Sequence, residues 1–506
     1  MSSEWRRLSP FAILYFTFNG LSQIFSIYPL FFGGIIAIAK FDVSWYQVAV
    51  YAVALLTVIV LLSVLFYLNF SYIQQADRFL LRHGIFSKNR TELPFSKIQN
   101  ISIKEPFYFR PFQLVVLKMD SAGSSTKEIA LAALTRESAQ EIEDNIHRTV
   151  HASASPASDE ASEYDHQEGP RSNAPLSKSL ILQRSTADII LHGICHNRAW
   201  FLVAILAPFW GNLEQPLVAA LSAVGLDWQD FLQTSTLAIL AVWFLLVITL
   251  LIVVLSALSV AGAIFALHDF KLWFQQDSYI RTSGLFTRYQ LQVKKSRVQT
   301  LRYQQNWLDL ITHRANVTLE PFADSGSQST QSLMQKIVLP SVEWLQFIAM
   351  TRHLFSGFEF DQVRFQAISR IYFLRSVLFV VVPTMALVSL PWFSDGVWRI
   401  VLPLFLGVLL SSAFYLRWRR MGVGMLGHHL VVRGGLIGRE YCVCAMYKVQ
   451  QVQIRQSLLL KRRRLASLRL VIASRSLDIP LIPEALAREI AQLCLQQSEL
   501  SARSWM

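Results

Sequence analysis

Three short stretches decide the fold: Lys97-Ile-Gln-Asn-Ile101, Arg297-Val-Gln-Thr-Leu301 and Lys448-Val-Gln-Gln-Val452. Each sets a basic residue, a β-branched residue, a glutamine, a variable residue and an aliphatic one in the same order. Each glutamine (Gln99, Gln299, Gln450) stands fifteen residues after a glycine (Gly84, Gly284, Gly435). The glycines lie in matching surroundings: Phe79-Leu-Leu-Arg-His-Gly-Ile-Phe86, Tyr279-Ile-Arg-Thr-Ser-Gly-Leu-Phe286 and Leu430-Val-Val-Arg-Gly-Gly-Leu-Ile437. Agreement at one offset three times over is an internal repeat.

A glycine between two apolar-rich runs suits a hairpin that needs positive φ. In the strand that follows, a two-residue period places Ile98, Asn100 and Ser102 on one face and Gln99, Ile101 and Ile103 on the other. The recurrent glutamines read as structural. A further strand is expected at Leu114–Met119, Ala315–Leu319 and Leu468–Ala473. A closing helix is expected at Thr135–Val150, Ser341–His353 and Pro483–Gln496, with Thr135 and Ser341 as N-caps and Pro483 in a first turn.

Working outward, each repeat follows a pair of apolar runs long enough to cross a bilayer, which takes about 20 apolar residues. They are Pro10–Ala39 with Val48–Phe70, Ala199–Val224 with Leu237–Leu267, and Leu374–Trp392 with Val397–Leu416. The composition agrees: 53% of the 506 residues are hydrophobic and 16% charged, against about 25% charged in soluble chains. The short connection within each pair holds Lys40 and Asp42 in the first, Asp227 and Asp230 in the second and Asp395 in the third. Basic residues flank the pairs (Arg6, Arg7, Arg198, Arg370, Arg375, Arg417, Arg419, Arg420). The positive-inside rule then puts the termini and all soluble segments in the cytoplasm. Four cysteines (Cys195, Cys442, Cys444, Cys494) are too few for a disulfide framework. Residues 151–178, rich in Ser, Ala, Pro and acid, read as a disordered linker.

A glycine-centred hairpin followed by [Lys/Arg]-[Ile/Val]-Gln-x-aliphatic, directly after a helix pair, resembles the bacterial pleckstrin-homology-like (PH-like) membrane-flanked domain family. The resemblance covers nearly the whole chain outside the linker. It implies a membrane α+β protein: six transmembrane helices in three hairpins, each hairpin followed by a cytoplasmic PH-like β-barrel capped by a C-terminal helix. The order of domains is then hairpin 1 (1–70), PH-like domain 1 (71–150), linker (151–178), hairpin 2 with an interfacial segment (179–268), PH-like domain 2 (269–353), hairpin 3 with an interfacial segment (354–416) and PH-like domain 3 (417–506). Family members often carry Arg, an apolar stretch and Gly after the Gln strand. This chain has Arg110-Pro-Phe-Gln113, Thr312-His-Arg-Ala315 and Arg464-Leu-Ala-Ser467 there. The resemblance also implies an inner-membrane location, a role in envelope maintenance or stress defence, and a smaller membrane protein of the same family as partner.

Charge is concentrated at one end. Of a net +13, residues 417–506 hold 15 Lys and Arg against 5 Asp and Glu. Within them Lys461, Arg462, Arg463 and Arg464 form a run on the expected cytoplasmic side. Each Lys or Arg near an anionic leaflet contributes about 1 kcal/mol of attraction, so membrane lipids, anionic ones above all, are the expected ligands. The competing reading is a solvated loop that simply obeys the positive-inside rule. No basic surface interleaved with aromatics points to nucleic acid. No phosphate-cradling glycine loop, HExxH or nucleophile elbow marks an enzyme, so no catalytic residue or cofactor is expected. Cys442 and Cys444, near His428 and His429, lack the further ligands that zinc requires, so no metal site is expected. The leading expectation is a non-enzymatic scaffold whose PH-like domains bind lipid head groups, a protein partner or one another; the alternative is a six-helix transporter or channel with regulatory cytoplasmic domains. Asn19, Gln23 and Glu214 are its polar candidates within the bundle.

Overall fold

The computed structural model describes residues 5–26, 45–75, 77–84, 88–95, 98–121, 128–153, 178–197, 218–219, 222–223, 236–321, 336–389 and 398–500. Glu214 and nearly all of the expected span 199–224 lie outside the described residues, as does the linker over 154–177.

The first repeat runs α1 (Ala12–Ser26), α2 (Trp45–Leu68), β1 (Ser71–Gln74), β2 (Arg78–His83), β3 (Asn89–Pro94), β4 (Ile98–Glu105), β5 (Leu114–Ser121), β6 (Glu128–Thr135) and α3 (Arg136–Ser153). The second runs β7 (Ser179–Gln183), α4 (Thr186–Cys195), α5 (Leu237–Leu267), β8 (Lys271–Gln275), β9 (Ser278–Ser283), β10 (Arg288–Lys294), β11 (Val298–Gln304), α6 (Trp307–Ile311), β12 (Ala315–Pro321), β13 (Ile337–Val342) and α7 (Trp344–Leu354). The third runs β14 (Arg364–Ala367), α8 (Arg370–Ser389), α9 (Trp398–Arg420), β15 (Gly422–Leu426), β16 (His429–Gly434), β17 (Glu440–Ala445), β18 (Val449–Arg455), α10 (Leu458–Arg462), β19 (Leu465–Ile472), β20 (Arg475–Pro483) and α11 (Glu484–Leu500).

Among the described residues three helices, one per repeat, are long and apolar enough to cross a membrane: Ala49–Leu68 within α2, Leu237–Leu267, and Ile400–Arg420 within α9, with mean hydropathies of 2.8, 3.2 and 1.9. Each leads into its first strand across only a few residues. Helix α1 packs on α2 through Phe16 and Phe66, ring centroids 5.6 Å apart, and α8 on α9 through Phe373 and Tyr415 at 5.6 Å. The 31 residues of α5 span about 46 Å, more than the roughly 30 Å of an acyl core. Helix α4 packs near its C-terminal end. There a Cβ on Gly193 would stand 2.7 Å from Val260 Cα, and Ser259 Oγ donates to the Gly193 carbonyl at 2.8 Å. Small residues permit such close crossings.

The described strands form four open antiparallel sheets, of order β1-β2-β3, β6-β5-β4-β10-β9-β8-β7, β13-β12-β11-β17-β16-β15-β14 and β18-β19-β20. The closed barrel implied by the resemblance is therefore not what these strands make. The reason is an edge: β4 pairs with β10 of the next repeat, and β11 pairs with β17. The two compact units accordingly do not follow the repeats. One is Met1–Ile181 with Leu272–Val293; the other is Leu182–Lys271 with Lys294–Met506.

In the first repeat the sheet β1-β2-β3, the strands β4, β5 and β6 and helix α3 share one core, with Phe79, Leu81, Leu93, Phe95, Leu117, Leu131 and Ile142 buried together. In the third, Leu430, Cys444, Leu470, Ile479, Ala487 and Ile490 do the same under α11. Thr135 does cap α3, its Oγ1 accepting from Ser138 N at 3.3 Å. Ser341 is not a cap: α7 begins at Trp344 and Glu343 is its N-cap. Pro483 is the last residue of β20, just before α11.

The motif glutamines hold the same place three times. In β4, pairing with β5 jumps from Ile98↔Ser121 to Asn100↔Asp120. In β11 it jumps from Val298↔Pro321 to Thr300↔Glu320, and in β18 from Val449↔Ile472 to Gln451↔Val471. Gln99, Gln299 and Gln450 are thus the extra residues of three β-bulges. A bulge shifts the alternation by one, which corrects the expected faces: Ile98, Ile101 and Ile103 are all buried. Gln299 is buried and its Nε2 donates to the Arg297 carbonyl at 3.4 Å, whereas Gln450 is exposed. The basic residue of the motif works across the seam. Lys448 is buried, and its Nζ donates to the Ser296 and Val298 carbonyls at 2.8 and 2.5 Å. Burial pulls its pKa down to about 8.

The motif glycines are the hairpin turns the sequence called for, with φ of 119° at Gly84, 118° at Gly284 and 114° at Gly435. A Cβ on Gly435 would lie 2.2 Å from the Gly438 carbonyl oxygen; one on Gly434 would meet nothing within 4 Å. Gly435→Ala is expected to cost about 2 kcal/mol or more and to lower the thermal midpoint in detergent well below that of Gly434→Ala. Equal midpoints would refute this account of the turn.

His429 on β16 lies edge-on to Phe355 and Phe358, ring centroids 5.1 and 5.4 Å away. Burial, with a smaller push from His428, lowers its pKa from 6.5 to about 4. A base held neutral in the fold contributes stability that is full above its unfolded pKa and is lost as pH falls towards the folded one. Between about pH 7 and about pH 5, the native chain is expected to lose more of its thermal midpoint than His429→Phe does. A parallel decline in both would sink the assignment.

Candidate functional site

The repeats build one feature three times: the connection after the bulged strand, ended by a residue in the left-handed region. That residue is Gln113 (φ 53°), His313 (φ 56°) or Arg464 (φ 50°). The absence of the family's glycine near these turns thus leaves their backbone form intact, at a modest cost in strain.

In the first repeat the connection carries Phe107, Tyr108, Phe109 and Phe112. Phe109 is buried and anchors the loop, while Phe107 and Phe112 are exposed. Phe112 stands 4.3 Å from Phe11, and Phe18 of α1 stacks on Tyr108 at 4.5 Å and meets the edge of Phe107 at 5.7 Å. The loop therefore lies at the foot of the first apolar helix.

In the second repeat the connection is α6. Asn306 and Asp309 form a capping box that fixes its first turn, and Trp307 and Ile311 are exposed. The buried Asp309 carboxylate lies 3.5 Å from His196 Nε2, just past the end of α4. Asn316 joins both ring systems, through His192 Nδ1 at 3.0 Å and His196 Nε2 at 2.6 Å. Burial raises the Asp309 pKa and is the main cause that pushes the Cys195 thiol up to about 11. Here the connection is bound to the end of α4, the helix that packs on α5.

In the third repeat the connection is α10. Leu458 is 84% exposed and Leu459 75%, whereas Leu460 packs against the core. Lys461, Arg462, Arg463 and Arg464 are all exposed, and among the described residues none makes an ion pair. The Arg464 carbonyl accepts from Glu484 N at 2.9 Å, which ties the basic turn to the start of α11. The run found in the sequence is thus one face of a loop that also presents two bare leucines. The sequence reading missed the leucines because they look like core until the strand ends are known.

A second feature was not legible in the sequence. A cavity of about 900 Å³ opens between α1, α2 and strands β2, β3 and β6. Its helix side is apolar, with Phe16, Ile59, Leu62 and Phe66, and is broken by Asn19, Gln23 and Ser63; its strand side carries His83, Lys88 and Arg90. Arg90 also pairs with Glu92 at 3.3 Å. Asn19 and Gln23, singled out as polar residues of a helix, therefore lie in this cleft. The basic residues gave no sequence signal, since they are isolated charges around a turn that only the fold brings to the helices. An apolar wall facing a basic rim fits an amphiphile with an anionic head.

The buried cysteines have no such chemistry. Burial pushes the Cys442 thiol up to about 12 and Cys444 well above its ordinary value, and thiols held protonated are unreactive. Among the described residues no three His, Cys, Asp or Glu side chains are grouped to hold a metal ion.

Comparison with known proteins agrees with this architecture. The family model described as "Bacterial PH domain" matches residues 29–150, 217–354 and 376–498. The UPF0699 transmembrane protein YdbT of Bacillus subtilis (strain 168) is 23% identical over 499 residues, which cover 94% of this chain and 94% of that protein. With the match extending over more than half of the sequence, the chain belongs to the bacterial PH domain family and carries the domain three times.

Proposed function

We propose that the protein is a non-enzymatic, multi-pass scaffold of the bacterial inner membrane, whose three PH-like domains hold anionic lipid head groups at the cytoplasmic face. The observation that carries this is the recurrence of exposed apolar side chains on one connection of each repeat. In the first repeat that connection is bound to the foot of α1, in the second to the end of α4, and in the third it adds Lys461–Arg464. Leucines beside a basic run suit a surface with an apolar interior and anionic heads. The cleft beside α1 offers the same pairing of apolar wall and basic rim.

The topology proposed with this reading is six spans in three hairpins. Helices α2, α5 and α9 are the second members of the pairs, and α1 and α8 are first members at the first and third. Arg6 and Arg7, Arg370 and Arg375, and Arg417, Arg419 and Arg420 stand at the ends that adjoin the soluble strands, which supports a cytoplasmic placement of those strands. Envelope maintenance under stress is the process that fits such a scaffold.

The test uses the full chain in detergent, titrated with fluorescent phosphatidylglycerol or phosphatidylcholine over a salt series. Preference for the anionic lipid is expected, weakening as salt rises. Replacement of Lys461, Arg462, Arg463 and Arg464 by Ala is expected to lower that affinity at least about tenfold, given about 1 kcal/mol per charge. Binding indifferent to head-group charge, to salt and to the four substitutions would refute the proposal.

A further inference from the structure

The chain joins its repeats by one device, used twice with one register. In the first junction Leu291 pairs with Ser102 and Gln290 with Ile103. In the second, Cys442 pairs with Arg302 and Tyr441 with Tyr303. Counted from the motif glycines and glutamines these are the same positions. The bulged strand of one repeat always takes the third strand of the next.

Two such edges are left over. Strand β18 is the bulged strand of the last repeat, and β3 is the third strand of the first. Each lies at the border of a three-stranded sheet with one neighbour among the described strands. The side chains of β18 register the missing neighbour. Ile454 is 43% exposed, whereas its equivalents are 7% exposed at Ile103 and 3% at Tyr303. Gln450, Gln451 and Arg455 are exposed as well, while Gln299 and Thr300 of β11 are buried. An edge with free backbone groups is a template for another strand.

We infer that the β18 edge of one molecule receives the β3 edge of a second copy of this chain, in the register of the two internal junctions. Ile454 then lies opposite Arg90, Gln453 opposite Thr91 and Val452 opposite Glu92. A second copy is the occupant the molecule itself indicates, since it already makes this junction twice between like repeats. Pro94, which has no N–H to give, lies one residue beyond the position equivalent to Cys444, the furthest that pairs in either junction. The interface joins unlike edges, so it leaves one edge open on each partner and builds rings or rows. All copies share one orientation across the membrane, as rows or rings in its plane require.

Cross-linking tests this on the full chain in membranes. Two differently tagged copies are co-expressed, one with Arg90→Cys and one with Ile454→Cys, and oxidised. Residues directly opposite on antiparallel strands have Cβ atoms about 4.5–5.5 Å apart, within reach of disulfide formation with slight adjustment. The four native cysteines are buried and give little background. A link between the two tags is expected, at least about tenfold stronger than for Arg90→Cys with Gln453→Cys, whose side chains leave opposite faces. No link above that control overturns the inference, and so does a link formed only between two Ile454→Cys copies. If either variant fails to fold, the mass of the unmodified chain in nanodiscs decides: assemblies of two or more copies are expected, and single copies at every concentration overturn it.

Discussion

The pairing of β4 with β10 and of β11 with β17 is the constraint on which the rest of the structure depends. A three-stranded sheet has two edges with unmet backbone groups, and a small barrel meets them by closing on itself. Here the bulged strand of each of the first two repeats uses its outer edge on the next repeat instead. Two seven-stranded sheets result, and with them two compact units whose limits cut across the sequence repeats. Lys448 shows how firmly the second seam is made: an ammonium accepts a buried position because two carbonyls of the preceding repeat satisfy it. Replacement of a buried donor of this kind leaves its acceptors unmet, which is costlier than the bond is favourable.

The bulge explains why one glutamine recurs. An extra residue in a strand re-aims everything after it, so Ile98 can face the core with Ile101 and Ile103 although the spacing is odd. Without it the strand would either bury its polar positions or turn its isoleucines outward. The side chain matters less than the place: Gln299 is buried and bonded to its own turn, while Gln450 stands in solvent on a free edge. The same economy holds for the left-handed turns at Gln113, His313 and Arg464, where three different side chains adopt one backbone form. Repetition is conserved here in the backbone more closely than in residue type.

The membrane segments and the sheets are held together at short range. Only two or three residues separate α2 and α5 from the strands that follow, and Phe70 and Phe270, both buried, fill equivalent places there. The loops after β4 and β11 add a second tie, through the Phe11, Phe18 and Tyr108 rings in one repeat and through His196 with Asp309 in another. In the first repeat the domain is thus fixed to its helices at two points, and in the second the connection is fixed to α4, which packs on α5; in the third the basic turn is tied to the start of α11.

By itself the sequence determined the threefold repeat, the glycine turns, the apolar helices and the basic run at Lys461–Arg464. All of these are local: a fixed offset, a positive φ, a length of apolar residues and a cluster of charge can be read along the chain without knowing what touches it. Which edges pair was decided only by the tertiary structure. Backbone hydrogen bonds carry no signature in side chains, so β4 looks the same whether it closes on its own repeat or continues into the next. The bulge, the exposed leucines of α10 and the gathering of His83, Lys88 and Arg90 beside Asn19 and Gln23 belong to the same class. Each depends on which residues stand opposite in space, and that relation exists only once the strands have chosen their neighbours.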